Sequence, residues 1–264
     1  MTPNDIFDPD PIITTALNDV NLLNPSVDSI DILEIVKSLS GIIRYGGHIP
    51  TDITVLQHLL ICDGIAEAAA FEATGWLTHD RTIHSEYVRL YILLHDAAEA
   101  YTGDIVRPLK RLVNKRADGL IDEMEEALDQ AILSSVCGFE VLTPSDREAV
   151  AIKAVDNAAL AAEVHTLWPS LALSGRWGSM PADVPAVHKR IVDMVMSMTV
   201  PELMDAFLEV LDDHVGAYRE YRVDGLTDAE PEAQVEEADP IHDVDTSELV
   251  AVLTELGYDV CVLN

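Results

Sequence analysis

Three histidines in this sequence are followed directly by aspartate, and one of the three pairs stands in a different context from the others. The pair at His79 lies between predicted helices and the pair at His242 lies in an acidic stretch. His95-Asp96, by contrast, falls on the predicted buried face of a helix. Burying an imidazole and a carboxylate costs free energy unless they bind a cation or each other. Taken alone, a core histidine hydrogen-bonded to Glu99 explains this pair better than a metal ligand does.

Two further polar residues in apolar surroundings change that balance. His58 interrupts the apolar run TVLQHLLICDGIA, and Asp156 lies among Ile152, Val155 and Leu160 on a predicted packing face. Three helices would then each present a ligand inward. Two imidazoles and two carboxylates suit Mn²⁺, Fe²⁺, Co²⁺ or Zn²⁺, with positions left for water or a phosphate oxygen. The alternative is three unrelated buried polar groups.

The order of these residues resembles a known pattern. His58 … His95-Asp96 … Asp156 is similar to the H…HD…D signature of the HD-domain phosphohydrolases. The stretch LLHDAAEAYTGDIVRPLK, residues 93–110, closely resembles the 5′-deoxynucleotidases and the related phage-type HD hydrolases, which include viral dATP triphosphohydrolases. Residues 44–58 and 152–163 also resemble that group, and the resemblance covers roughly residues 30–200.

The resemblance implies a role for each matching position. It implies that four residues coordinate the metal: His58, His95, Asp96 and Asp156. Glu99 and Asp104 match the acidic pair that positions and activates the attacking water, and Arg44 matches an arginine that contacts the phosphate. Arg107 and Lys110 lie just beyond and are expected either to meet the substrate phosphates or to balance an acidic helix at the surface.

The interval between the metal-binding motifs limits the number of metal ions. Dinuclear HD enzymes usually supply two further histidines between the His-Asp pair and the last aspartate, and residues 97–155 contain no histidine. We therefore expect a single divalent cation: Mn, Co, Zn, Fe or Mg. The same gap argues against the cyclic-dinucleotide phosphodiesterase and di-iron oxygenase branches.

These motifs predict hydrolysis of deoxynucleotide phosphates. A dNMP would give nucleoside and phosphate, whereas a dNTP, with dATP as one candidate, would give nucleoside and triphosphate. The alternatives are an HD phosphohydrolase acting on another small phosphate, such as an alarmone or a sugar phosphate, and a catalytically silent HD module that binds nucleotides or a partner.

Charge and cysteine content exclude several classes of partner and site. The chain has 47 acidic and 16 basic residues, so its surface would repel nucleic acid and anionic membranes. The acidity fits a high-salt habitat or an ordinary acidic protein with acidic tails. Cys62, Cys137 and Cys261 form no close pair, so no disulfide framework or cysteine–zinc site is indicated. Without a signal-peptide pattern, the expected location is the cytoplasm, which is the host's if the protein is viral.

The elements that must position these residues are almost all helices. Residues 1–28 read as an irregular acidic arm, residues 29–223 as the HD domain, and residues 224–264 as an acidic linker with a small helix and strand. The predicted fold is an all-α HD-domain helical bundle with a short C-terminal α/β extension. We expect a homo-oligomer, with the apolar helices around Ile191–Leu211 available for an interface. Helices are predicted at about 30–41, 51–74, 82–102, 117–137, from Ser145 onward, 184–198 and 201–221.

Overall fold

The computed structural model describes residues 12–71, 86–141, 143–174 and 180–227. Within these ranges the chain is mostly helical, which confirms the prediction of an all-α fold. The His-Asp pairs at His79 and His242, together with Cys261 and the predicted extension beyond residue 227, lie outside the described residues.

The helices and strands follow one another in a simple order. The helices are α1 (Ile32–Leu39), α2 (Val55–Phe71), α3 (Glu86–Leu94), α4 (Glu99–Thr102), α5 (Arg107–Arg116), α6 (Leu120–Cys137), α7 (Asp146–Leu167), α8 (Pro169–Ala172), α9 (Ala186–Met196) and α10 (Val200–Thr227). Before α1, strands β1 (Ile12–Thr14) and β2 (Asp19–Asn21) pair in antiparallel register. No helix within the described ranges has the length and apolar composition needed to cross a membrane.

Helix α2 lies at the centre of the fold. It packs against α3, α7, α9 and α10. Because it is apolar on all sides, residues such as Leu56, Leu59 and Ile61 are buried against different neighbours. A Cβ atom added at Gly64 would lie 3.0 Å from Cγ2 of Ile191, so this glycine permits the close approach of α9. Gln57, His58 and Asp63 are therefore polar side chains of α2 that are held in the interior.

Helix α7 begins where the sequence predicts. The Ser145 side chain accepts from the backbone N–H of Glu148, and the Glu148 carboxylate accepts from the backbone N–H of Ser145, which completes a capping box. Asp156 and Glu163 are seven residues apart on this helix, so they share one face, two turns apart. That face is directed toward α2 and α3, against which α7 packs.

The prediction of one continuous helix over residues 82–102 is wrong. Helix α3 ends at Leu94, residues 95–98 form a turn, and α4 begins at Glu99. The Nδ1 of His95 bonds the carbonyl oxygen of Ile92, which would otherwise accept an α-helical bond. Bonds over three residues follow, from the N–H of Ala97 to the carbonyl of Leu94 and onward. The His-Asp pair therefore lies in a turn and not inside a helix.

The structure differs from the sequence prediction at three other places: the N-terminal arm, α5 and the end of α10. The N-terminal arm contains the β1–β2 hairpin, whose strands of three residues are too short to show an alternating pattern. Helix α5 was not predicted, and its polar sequence leaves none of its residues buried. Helix α10 continues to Thr227, past the predicted start of the linker at Asp224.

Candidate metal centre

His58 is the most deeply buried member of the predicted ligand set. It lies on α2 and is fully excluded from solvent. Its Nε2 is 3.3 Å from Oδ1 of Asp156 and 3.7 Å from Oδ2 of Asp96. Burial and the charge of Arg44 lower the pKa of His58. The neighbouring groups, Glu163 and Asp156 among them, raise it by more, so the pKa of His58 lies well above its usual range. The structure thus brings together residues that are up to 98 positions apart in sequence.

His95 reaches the same place from the turn after α3. Its Nδ1 donates to the Ile92 carbonyl at 2.8 Å, which leaves the lone pair of Nε2 available. This Nε2 is buried, has no hydrogen-bond partner among the described residues, and lies 3.5 Å from Oδ2 of Asp96. The imidazole rings of His58 and His95 pack edge to face with centroids 5.4 Å apart.

The separations between these atoms fit ligands of a common ion. They are longer than an ordinary N–H···O hydrogen bond, which is about 2.9 Å. Nitrogen and oxygen atoms each about 2.1 Å from a tetrahedral cation would be about 3.4 Å apart. The separations of 3.3 to 3.7 Å suit a divalent cation, and so does Nε2 of His95, which has no hydrogen-bond partner in the described part of the chain. His58, His95, Asp96 and Asp156 are the residues that could hold it.

Cys62 also lies at this centre, although the wide spacing of the cysteines predicts no cysteine–zinc site. Its Sγ is fully buried, 3.4 Å from Nε2 of His58. The possible ligand atoms of His58, Cys62 and His95 all lie within 4.8 Å of one another, so the three form a group that could hold a metal ion. Burial raises the pKa of the Cys62 thiol to about 11. The signal in the sequence was the spacing of four residues, which places Cys62 on the same helical face as His58.

Glu163, a residue without a predicted role, fixes the orientation of His58. It is fully buried, and its Oε1 accepts from Nδ1 of His58 at 2.5 Å. The Tyr45 hydroxyl donates to its other oxygen. Burial alone would raise the pKa of Glu163, but the charges of His58 and Arg44 lower it below its ordinary value. An ionised carboxylate on Nδ1 keeps the lone pair of Nε2 directed at the centre, as in carboxylate–histidine–metal arrangements.

Arg44 and Tyr45 reach the centre from an unusual turn. Tyr45, Gly46 and Gly47 have φ values of 60°, 60° and 68°, a left-handed run that glycine adopts easily and tyrosine does not. The edge-to-face contact of Tyr45 with Trp168, at 5.3 Å between centroids, helps to hold the tyrosine there. Arg44 donates to Oδ2 of Asp96 at 3.0 Å. The matched arginine therefore does reach the ligand set.

The predicted acidic pair lies close to the ligands. Glu99 begins α4, directly after the His-Asp turn, and Asp104 follows α4. Each has a buried carboxylate oxygen, Oε2 of Glu99 and Oδ2 of Asp104, without a hydrogen-bond partner in the described part of the chain. Burial, and then the charges of Asp96 and Asp104, raise the pKa of Glu99 to about 9. Such a carboxyl group is suited to exchange a proton with a bound water.

The shifted pKa of Glu99 leads to a stability prediction. Because the folded protein holds this proton more tightly than the unfolded chain does, the stabilisation is complete below about pH 4.3 and is lost as the pH rises through about 9. In metal-free protein kept in chelator, the melting temperature should fall between pH 5 and 9 more steeply for wild type than for Glu99→Gln. Between pH 5 and 9, the free energy of unfolding of wild type should fall by at least about 1 kcal/mol more than that of Glu99→Gln. Parallel melting curves for the two proteins would contradict this account.

The cationic side chains around the centre differ in what they contact. Arg107 is half-exposed, and its Nη2 lies 3.7 Å from Oδ2 of Asp156. Lys153, which the sequence analysis did not single out, is also half-exposed and pairs with the same oxygen. Lys110 instead pairs with Asp122 and Glu125 on α6. Arg107 and Lys153 therefore form the exposed rim of the centre, whereas the ammonium of Lys110 is already engaged.

A comparison with known proteins places the chain in a family. Over 147 residues it is 31% identical to the protein named "Uncharacterized protein YfdR" of Escherichia coli (strain K12), an alignment that covers 54% of this chain and 68% of YfdR. The chain belongs to the YfdR family. No model of a known protein family matches it. The name YfdR states no activity.

Proposed function

We propose that this protein is an HD-type, metal-dependent phosphohydrolase that hydrolyses deoxynucleotide phosphates. The observation that carries the proposal is the convergence of His58, His95, Asp96 and Asp156 from separate parts of the chain, with distances of 3.3 to 3.7 Å between the facing atoms. The resemblance of residues 93–110 to 5′-deoxynucleotidases supplies the substrate class.

The four residues differ in how they would hold the cation. His58 and His95 offer Nε2, because each Nδ1 is bonded to Glu163 or to the Ile92 carbonyl. The carboxylates of Asp96 and Asp156 complete the set and bring two negative charges. When bound, a divalent cation polarises a phosphoryl oxygen and neutralises charge on the phosphate.

The acidic pair would hold the attacking water. Oε2 of Glu99 and Oδ2 of Asp104, which have no hydrogen-bond partner among the described residues, could accept hydrogen bonds from a bound water. As the water oxygen forms its bond to phosphorus, one proton passes to a carboxylate. The bond from phosphorus to the nucleoside oxygen breaks, and that oxygen takes up a proton to leave as the alcohol. Attack on a monophosphate releases phosphate, and attack at the α-phosphorus of a triphosphate releases triphosphate.

Basic side chains near the centre would admit an anion to a very acidic protein. Arg44 makes one bond to Asp96, and its buried Nε has no hydrogen-bond partner among the described residues, so it retains donors for a phosphate oxygen. Arg107 and Lys153 provide positive charge at the exposed rim. Together they offset, locally, the formal net charge of −31.

A substrate panel tests the proposal directly. Purified protein with Mn²⁺ or Co²⁺ is incubated with each dNMP and dNTP, and nucleoside, phosphate and triphosphate are separated by chromatography. We expect release of nucleoside with equimolar phosphate or equimolar triphosphate, and the co-product identifies the class. If metal is shown to be bound and no compound in the panel releases nucleoside, the deoxynucleotide proposal is wrong.

The same panel distinguishes the two alternative functions. Release of phosphate only from alarmones or sugar phosphates would move the protein to another branch of the phosphohydrolases. Tight nucleotide binding without turnover of any compound would indicate a silent binding module. The presence of all the ligand residues, of Glu99 and of Asp104 argues against that last outcome.

A further inference from the structure

We propose that the exposed face of helix α5 is the docking site of the acidic segment 228–248 of the same chain. The face and the segment carry opposite charges, and the segment is long enough to reach the helix. The inference does not depend on the proposed function, because it concerns a surface outside the metal centre and is tested without measuring activity. Arg107, the first residue of α5, is the place where this surface meets the rim of the centre.

Helix α5 contacts the rest of the fold along one narrow face. Lys110, Val113 and Asn114 are its half-buried residues, and α6 is the helix against which α5 packs. Lys110 pairs with Glu125 of α6, and the Asn114 side chain accepts from the backbone N–H of Ile121. The other residues of α5 are all exposed, so most of the helix surface meets solvent.

The exposed face is basic along one row and apolar along the next. Arg107, Arg111 and Lys115 follow one another at spacings of four residues, so they form a single row of positive charge. Leu109 and Leu112 lie beside this row and are 50% and 54% exposed. The sequence of α5 has five basic residues and no acidic one, on a chain whose formal net charge is −31.

Most of this positive charge lacks a compensating anion. Arg111, Lys115 and Arg116 form no ion pair with any residue that the structure describes. Like charges four residues apart destabilise a helix, and an anionic partner relieves that repulsion. Burial of Leu109 and Leu112 by the same partner is favourable as well. The segment that fits this face therefore has several carboxylates with apolar residues between them.

Residues 228–248 have this composition. Their sequence, DAEPEAQVEEADPIHDVDTSE, contains nine acidic residues and no lysine or arginine. Val235, Ile241 and Val244 stand between the acidic residues and can meet the two leucines. The segment lies outside the described residues, and it matches the face of α5 both in charge and in apolar content.

Chain length allows the segment to reach α5. Arg219 of α10 donates to backbone carbonyls in the last turn of α6. Helix α6, with 18 residues, is about 27 Å long, and α5 packs near its beginning, where Lys110 pairs with Asp122. The last two turns of α10 add at most about 12 Å. Fully extended, residues 228–248 span up to about 70 Å, which exceeds the distance to be covered.

Photo-crosslinking from α5 tests the docking in the full-length protein. A benzophenone amino acid replaces Leu112, the protein is irradiated, and crosslinked peptides are identified by mass spectrometry. We expect crosslinks from position 112 to residues 228–248. The matched control has the benzophenone at Leu33 of α1, which is 57% exposed and has Asp31 and Glu34 as near neighbours in sequence. From that position, the yield of crosslinks to the segment should be at least about tenfold lower.

A charge swap tests whether the attraction is electrostatic. Arg111→Glu combined with Lys115→Glu, at two exposed residues, should lower the crosslinking yield from position 112 at least about fivefold. Potassium chloride at about 1 M should also lower it, because the Debye length is then about 3 Å. Adding Glu236→Lys and Glu237→Lys to the first two substitutions should restore crosslinking, since both partners then have reversed charge.

Several outcomes would overturn the proposal. One is the absence of crosslinks from position 112 to residues 228–248, and others are equal yields from positions 112 and 33 or a yield that the charge swap leaves unchanged. Mixing chains labelled with light and heavy nitrogen identifies the source of the segment, and mixed crosslinks alone would overturn docking within one chain. Crosslinks from position 112 to the helical body of a second copy, in place of the segment, would identify an interface between copies and overturn it as well.

Discussion

Asp96→Ala should abolish metal binding and reduce phosphate-ester hydrolysis by at least about three orders of magnitude, or about 4 kcal/mol. The substitution removes a carboxylate that faces Nε2 of both His58 and His95, at 3.7 and 3.5 Å. It also removes the anion that holds Arg44 at 3.0 Å. Metal binding is measured by calorimetry, and turnover is measured with the substrates found in the panel.

The control for this substitution uses the other His-Asp pairs of the sequence. Asp80→Ala and Asp243→Ala change the same dipeptide at positions to which the sequence analysis gives no role, and both proteins should bind metal as wild type does. The Asp96 side chain is one quarter exposed, so Asp96→Ala should still fold, which circular dichroism checks. Normal metal binding in folded Asp96→Ala would remove Asp96 from the ligand set.

Glu163→Gln should weaken metal binding 10- to 100-fold without unfolding the protein. The carboxylate of Glu163 accepts from Nδ1 of His58 and so directs Nε2 to the ion, and losses of about this size follow the removal of such partners. The amide oxygen of Gln can accept the same hydrogen bond from Nδ1. Because the amide is neutral, however, it cannot stabilise the positive charge that develops on the imidazole. Metal affinity is measured by competition with a chelator of known affinity.

Glu163→Ala should have a larger effect on the fold itself. It would leave His58 and the Tyr45 hydroxyl without their partner in a fully buried place, at a cost of about 3 kcal/mol in the free energy of unfolding. Tyr45→Phe removes only one of these bonds and should cost about 1 kcal/mol. Glu67→Gln, which disturbs a surface ion pair with Arg89, is the control and should leave metal affinity unchanged. Equal metal affinities in wild type and Glu163→Gln would mean that Glu163 acts only in packing.

The sequence by itself determined the helical class and where several helices begin. The prediction that α7 starts after Ser145 depends on a capping box, and its two determinants, Ser145 and Glu148, lie within four residues of local sequence. The prediction that His58 and Asp156 point inward depends on helical periodicity, which is also local, and both residues are indeed buried. Signals of this kind can be read without knowing what packs against the helix.

The tertiary structure decided what surrounds each of these residues. Glu163 is 105 positions from His58, and no local pattern indicates that its carboxylate bonds that imidazole. The turn at residues 95–98 depends on His95 bonding the Ile92 carbonyl, a competition between side chain and backbone that periodicity does not register. Cys62 looked like one more apolar residue of α2 until the packing placed its sulfur beside Nε2 of His58. Sequence patterns assign residues to faces, whereas the distances that make a metal centre arise only when helices far apart in the chain pack together.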